Sequence, residues 1–347
     1  MRRVGHAGAE PGGLMRDGRS LSCSRSHGMA SVPELSVLVV SYNTRGLTLA
    51  ALCTLFETTR STRMHVMVWD NASADGSADA IAEAFPGVDL IRSEENVGFA
   101  EANNRLAARA TSEYLLLLNP DTECHKGAVD NLMRFARERP EAGIWGGRTV
   151  FPDGSLNIAS CWRRITPWSA FCIATGLTAA FPRFEFFNRE AMPSWKRNSI
   201  REVDIVVGCF LLIRRDLWEA LEGFDRRYWM YGEEADLCAR ARNAGWRPAI
   251  TPDAEIMHLV GAASGSAAGK RILVAQARTT LIRDHWPRKL VPLGLFLMWL
   301  WGASRVVAAR LTAVLRPGTR SRIRRAFWDE VWNGRSIWLA GYDVGRL

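Results

Sequence analysis

Residues 35–41 read LSVLVVS, seven residues with three valines, too short for an ordinary helix and rich in β-branched side chains, so the run reads as a buried strand. A helical pattern follows at once: Leu47, Ala51, Leu52, Leu55 and Phe56 fall on one face of a 3.6-residue period. The alternation continues outward. MHVMVWD (64–70), VDLIRS (88–93), YLLLLN (114–119) and IWGGRTVF (144–151) read as strands, with helices over 77–85, 98–110 and about 125–138, the last ended by Pro140. Strand and helix in turn imply an α/β chain built on a parallel sheet. Further on, VDIVVGCFLLIRR (203–215) reads as a strand interrupted by Gly208, and LCARARNAGW (237–246) as a helix stopped by Gly245. The aromatic stretch 152–200 carries no assignable period.

Composition narrows the class. Of 347 residues 48% are hydrophobic and 23% charged, which suits a folded chain and not a disordered one. No uninterrupted apolar run reaches the ~18 residues of a membrane span, so a polytopic membrane protein is excluded. Seven dispersed cysteines without a C-x-x-C pair point to reduced thiols in a cytoplasmic protein, not to a zinc knuckle or disulfide framework.

The net charge of +9 is unevenly placed. Residues 283–347 hold 12 Lys and Arg against 4 Asp and Glu, whereas 35–282 hold 28 against 29. The body is therefore neutral, and no nucleic-acid partner is expected. A basic tail with six tryptophans points instead to an anionic membrane surface. Within it LVPLGLFLMWLWGAS (290–304), interrupted by Pro292 and Gly294, is shorter than a span and suits an interfacial or re-entrant segment. Residues 1–33, rich in Gly, Ser and Arg, read as a disordered extension without a secretory signal; Met29 stands just before the first strand, where translation could also start.

In an open parallel sheet the carboxyl ends of the strands line one ligand-binding edge. The residues following the first four strands are Tyr42 and Asn43; Asp70, Asn71, Ser73 and Asp75; Glu94, Glu95 and Asn96; Asn119, Asp121 and Thr122. Any one of these sets would pass for helix caps. Four together point to a site. That rim is acidic and lacks a G-x-G-x-x-G or G-x-x-x-x-G-K-[ST] cradle, so a bound diphosphate needs a divalent cation, for which Asp121 is the natural carboxylate ligand. A second cluster, Glu233, Glu234 and Asp236, crowds carboxylates together, which raises the proton affinity of at least one; its spacing equally fits acidic residues in a first helical turn.

Taken together, SVLVVSYN (36–43), WDNASADGS (69–77), ENVGFAEANN (95–104), LLLNPDT (116–122), VVGCFLLIRR (206–215), FDRRYWMYGEEADLCARARNAGW (224–246) and His258 resemble, in order and spacing, the family 2 inverting glycosyltransferases. The branch most like it is the bacterial rhamnosyltransferase type that builds cell-surface polysaccharides. The resemblance covers about 35–265. It implies the GT-A fold, a Rossmann-like, mostly parallel sheet flanked by helices. A nucleotide-binding half (34–151) and an acceptor-binding half (152–282) would then be followed by a helical, membrane-associated extension (283–347). It further implies a nucleotide-diphosphate sugar donor, a glycan or polyprenyl-linked acceptor, Mg²⁺ or Mn²⁺, and a cytoplasmic location, peripheral on the inner face of the cell membrane.

Carried across by motif, the resemblance gives Tyr42, Asn43, Asp70 and Asn71 to the nucleotide's base and ribose, with Asp70 accepting from a pyrimidine imide. Asn96, Gly98 and Asn104 would support the nucleotide-sugar pocket. Asn119 and Asp121 occupy the Asp-x-Asp metal motif, with His258 as a further ligand. Glu234 falls at the catalytic base, flanked by Glu233 and Asp236. Read from its place in the strand, Gly208 allows close approach of sugar or acceptor, and a simple β-bulge explains a strand glycine equally well. The segment 259–270 reads as a lid. Two departures stand out: Asn119 is neutral where many relatives have Asp, and Glu234 stands where relatives usually have Asp. They leave open a catalytically silent scaffold domain, while a sugar-1-phosphate nucleotidyltransferase is disfavoured because VVSYNTRGL lacks a glycine-rich phosphate loop.

Overall fold

The computed structural model describes residues 32–259 and 266–342. Strand β1 (Leu35–Ser41) is buried along its whole length and lies between two parallel neighbours, β2 (Met64–Asp70) and β4 (Tyr114–Leu118), with β3 (Asp89–Arg92) outside β2. Its side chains divide by the two-residue period of a strand: Leu35, Val37 and Val39 enter one apolar layer, Leu38 and Val40 the other. Helices α1 (Arg45–Thr58), α2 (Ser77–Ala84) and α3 (Phe99–Ala107) make the crossovers. This half follows the order expected from the sequence.

The second half departs from a simple repeat. After the short β5 (Thr122–Cys124) and α4 (Ala128–Glu138), strand β6 (Ile144–Val150) is followed by the two-residue strands β7 (Leu156–Asn157) and β8 (Cys161–Trp162). The aromatic stretch without a period contains α5 (Pro167–Thr175) and α6 (Leu177–Ala180), and then come β9 (Arg201–Glu202) and β10 (Ile205–Val206). Strand β11 (Phe210–Arg214), α7 (Arg215–Ala220), α8 (Glu233–Asn243) and β12 (Ala249–His258) complete the body.

The main path of the sheet runs β3-β2-β1-β4-β11-β6-β12-β5. Residues 203–215 are thus not one interrupted strand. β10 pairs with β8 in a separate two-stranded sheet, and only β11 enters the main one, antiparallel to both β4 and β6. The break at Gly208 lets the chain change sheets. Because β11 is antiparallel, its beginning, not its end, lies at the rim where β1, β2 and β4 deliver their polar residues.

The segment expected as a tail is part of a packed unit. The helices α9 (Ala267–His285), α10 (Val291–Leu315), α11 (Thr319–Asn333) and α12 (Arg335–Ala340) enclose a third apolar cluster together with α5. Residue 283 falls within the last turn of α9. Three of the six tryptophans, Trp286, Trp301 and Trp338, are buried in this cluster, and Trp286 donates its indole N–H to the Ile165 carbonyl at 3.0 Å. The apolar run 290–304 continues helically to Leu315, so one helical stretch, Arg288–Leu315, is long and apolar enough by length and composition to cross a membrane; 33% of its most apolar window is buried inside the protein.

Strand β6 owes its fit to Gly146 and Gly147. A Cβ on Gly147 would stand 2.0 Å from the Ala254 carbonyl oxygen, where β12 shifts register against β6. Neither backbone can give way within the sheet. Gly147→Ala is therefore expected to lose about 3 kcal/mol of stability, read as a lowered urea midpoint. Gly46→Ala, in α1 with open space around it, should gain roughly 0.5–1 kcal/mol.

Candidate active site

The loops after β1, β2 and β3 are bound into one polar rim. Asn43, held at φ +52, accepts the Ala74 N–H on its side-chain oxygen at 2.8 Å, and its own N–H donates to Ser73 Oγ at 2.9 Å. Asn71 accepts the Val97 N–H at 2.9 Å and donates to Asn96 Oδ1 at 2.8 Å; Asn96 in turn accepts the Gly98 N–H at 3.0 Å. These amides are thus used in holding the loops. Asp70 is different. It is buried, one oxygen accepts the Ser73 N–H at 3.1 Å, and the other has no hydrogen-bond partner among the described residues. A buried carboxylate oxygen left so is costly unless a ligand donor completes it. Tyr42 is exposed at the end of the neighbouring strand and available to stack.

Gly98 sits at φ +83, and a Cβ there would meet the Trp229 ring at 2.9 Å. Trp229 is a rim residue that the sequence pattern does not single out; its one signal is an aromatic facing a glycine of positive φ across 131 residues of chain. Asn104 clamps the same segment, donating to the Phe224 carbonyl at 2.8 Å and accepting the Phe224 N–H at 2.9 Å.

A second group forms where β12 pairs antiparallel with β5 and sets His258 opposite Thr122. His258 Nε2 lies 3.3 Å from the Asp121 carboxylate, and both residues are buried. Burial alone would lower the imidazole's pKa, but Cys209 and Asp121 beside it outweigh that and raise it to about 10. His258 Nδ1 and Asn119 Oδ1 are buried without a hydrogen-bond partner among the described residues. One carboxylate, one imidazole and one amide oxygen make a hard oxygen and nitrogen donor set that fits Mg²⁺ or Mn²⁺. Among the described residues no third His, Cys, Asp or Glu joins them, so a cation here would share its shell with a ligand.

The third group is carried by α8. Tyr231 and Gly232, at φ +71 and +95, turn the chain sharply into its first helical turn. There the three carboxylates divide. Burial raises the pKa of Glu233 well above its ordinary value, helped by the charge of Glu234; burial also raises Glu234. Each has a buried Oε2 without a partner among the described residues. Asp236 is paired with Arg240 at 2.7 Å and with His285 Nε2 at 2.8 Å. Burial pulls its pKa upward, but His285 and Arg240 prevail and hold it below the usual value. Proton affinity therefore sits on the two glutamates, while Asp236 ties α8 to α9.

Gly208 and Cys209 join the groups. A Cβ on Gly208 would touch the Phe99 ring at 3.8 Å and Glu234 Cβ at 3.9 Å, which places Gly208 against the glutamate. Its neighbour Cys209 accepts the Asn119 N–H on its carbonyl at 3.1 Å and lies beside His258. Two consecutive residues thus span from the carboxylates to the Asp121–His258 pair. Of the expected lid, 260–265 lie outside the described residues, and Ser266 caps α9 by accepting the Gly269 N–H at 3.0 Å.

Comparison with known proteins gives a consistent result. The sequence model described as Glycosyl transferase family 2 matches residues 36–221. An N-acetylglucosaminyl-diphospho-decaprenol L-rhamnosyltransferase of Mycobacterium tuberculosis is 30% identical over 217 residues, 56% of this chain and 66% of that protein, so the match spans just under two thirds of the relative. Rhamnosyltransferase WbbL of Escherichia coli is 26% identical over 185 residues, 51% of this chain and 66% of that one. Among solved structures, the mannosyltransferase PcManGT from Pyrobaculum calidifontis, in complex with GDP-Man and Mn²⁺, matches with a TM-score of 0.54 at 20% identity, covering 89% of this chain and 88% of that one. It shares the fold.

The split among the carboxylates has opposite consequences for stability. A carboxyl raised in the folded state weakens folding as pH climbs above its ordinary 4.5 toward the raised value, so Glu233→Gln should be more stable than the parent at pH 8 and equal to it below pH 4.5. Asp236, lowered in the folded state, adds stability above its ordinary 3.8 that is lost as pH falls through the lowered value. Asp236→Asn should accordingly be less stable than the parent near neutral pH, with the gap closing in acid. Thermal unfolding followed from acid to mildly alkaline pH reads both.

Proposed function

Because the chain belongs to glycosyl transferase family 2, we propose that it is an inverting glycosyltransferase that moves a sugar, with rhamnose the leading candidate, from a nucleotide-diphosphate donor to a glycan or polyprenyl-linked acceptor in cell-surface polysaccharide synthesis. The two rhamnosyltransferase relatives support the sugar, and the diphospho-decaprenol in the name of one supports the acceptor class. The observation that carries the reading is the Gly208–Cys209 step, which sets a carboxylate of raised proton affinity and a buried Asp–His pair on either side of one backbone turn.

An inverting transfer needs a base on the acceptor hydroxyl and a positive charge on the leaving diphosphate. Glu234 is assigned as the base, its buried and unpartnered Oε2 taking the hydroxyl proton as the oxygen attacks the anomeric carbon. Burial makes this carboxylate a stronger base than one in water. Asp121 and His258, with Asn119 beside them, would hold Mg²⁺ or Mn²⁺, which when bound supplies the charge that stabilises the departing diphosphate. Asp70 accepts the imide N–H of a pyrimidine on its open oxygen, and Tyr42, Asn43 and Asn71 frame base and ribose. Asn96, Gly98 and Asn104 keep those loops in place, Gly208 leaves room for the sugar, and Glu233 and Asp236 set the field around Glu234. The nucleotide half is assigned to 34–151, the acceptor half to 152–282, and the helices after 283 to contact with the inner face of the cell membrane.

Release of nucleoside diphosphate from a panel of donor sugars, with Mg²⁺ or Mn²⁺ and with chelator, tests the reading. Glu234→Gln should lower turnover by roughly 10²–10⁴-fold at unchanged donor affinity, and Asp121→Ala should abolish the metal-stimulated rate. Asp70→Ala should weaken donor binding more than it slows the chemical step. Wild-type turnover in Glu234→Gln would remove Glu234 from the role of base.

A further inference from the structure

Helix α9 borders the catalytic helix and also faces away from it. Ala277 packs at Gly232, where a Cβ would approach to 2.9 Å, and Lys270 lies over the Tyr231 ring at 5.8 Å. On another face of the same helix, Arg271, Val274 and Arg278 line a cleft whose other wall is Ile173 of α5 with Met298 and Trp301 of α10. Arg278 is neutralised, donating to both Glu190 oxygens at 2.8 and 2.9 Å. Arg271 is not: among the described residues no carboxylate pairs with it. Arg305 enters beside the same wall, donating to the Ile173 carbonyl at 2.8 Å, and among the described residues it too has no acidic partner.

These cations repel one another. Burial and then Arg278 push the Arg271 pKa down, and burial, Arg324 and Arg271 do the same to Arg305. Arg271 and Arg278 at the cleft, and Arg305 beside it, have one carboxylate between them, and the opposite wall is apolar. Arg271 is exposed and Arg305 half-buried, so the like charges stand close with no acidic partner between them, and an anion there relieves the repulsion. On a different face, α10 turns Leu293, Phe296, Val307 and Leu311 to the exterior.

We propose that this cleft is the site for the phosphate-bearing junction of a lipid-linked acceptor, with a diphosphate against Arg271 and Arg305 and the apolar chain against Met298 and Trp301. The proposal rests on the acceptor class assigned above and adds where that acceptor is gripped. The arginines sit on the helix whose Lys270 and Ala277 pack against Tyr231 and Gly232 at the start of α8.

Calorimetric titration of the full chain in chelator, with farnesyl diphosphate, inorganic pyrophosphate and farnesol as separate probes, tests it. Farnesyl diphosphate should bind, more tightly than either fragment, and should not be displaced by nucleoside diphosphate. Arg271→Gln, an exposed change that leaves the fold intact, should weaken that binding about tenfold or more while donor affinity in Mn²⁺ stays at the parent value. Arg305→Lys, which keeps the charge but loses the fork, should fall between the two. Equal farnesyl diphosphate affinity in Arg271→Gln overturns the proposal, as does pyrophosphate binding as tightly as farnesyl diphosphate, which would mark a plain phosphate site. A failure of the transferase reading is seen separately, as no nucleoside diphosphate release from any donor.

Discussion

The hydrogen bond from the Asn119 N–H to the Cys209 carbonyl, 3.1 Å long, ties the end of β4 to the start of β11 in the middle of the candidate site. It exists because β11 runs antiparallel to β4. A parallel β11 would bring Arg214, not Gly208 and Cys209, to the rim. The reversal delivers a glycine and a small buried thiol between Glu234 on one side and His258 on the other. A Cβ added at Gly208 would make ordinary van der Waals contact with Phe99 and Glu234, and a larger side chain would have to displace them.

Three carboxylates within four residues would ordinarily share their charge and titrate as a group. Here the partners separate them. Arg240 serves Asp236 and also caps the Leu221 and Gly223 carbonyls, while His285 reaches Asp236 from α9. The glutamates receive no such cation among the described residues and keep open oxygens. The C-terminal helices therefore take part in defining the site: removing them would strip His285's support from Asp236 and expose the apolar face shared by α5 and α9.

What could be read from the sequence was what is local. The alternation in 35–41, the helical period after Leu47 and the polar residues at the strand ends all depend on neighbours a few positions apart, and they lay out the first four strands in their observed order. Residues 152–200 could not be read because their order comes from side-chain contacts without a period: the buried Arg197 gathers the carbonyls of Ala191, Met192 and Trp195 nearby and that of Ile158 across 39 residues. At Gly208 the sequence showed an interruption of one strand but not a change of sheet, because which sheet each piece joins depends on partners far along the chain. The packing of the tail was not legible: Trp286, Trp301 and Trp338 are buried in the third apolar cluster, whereas Trp299 stays exposed.

The distribution of charge acquires a physical sense from this packing. The rim is acidic and the body nearly neutral, so an anionic group meets repulsion there unless a cation accompanies it. The arginines of α9, α10 and α11 stand apart from that rim, on helices that reach it through the contacts of α9 with Tyr231 and Gly232. On the proposed reading two diphosphates, one on the donor and one on the acceptor lipid, must be held at once without exchanging places. A carboxylate-bound cation suits the donor's leaving group, whose charge grows during transfer, whereas fixed guanidiniums suit a group that only needs to be held. Placing the two devices on different elements, the rim after β4 and a face of α9, would keep the acceptor's phosphate from competing for the rim.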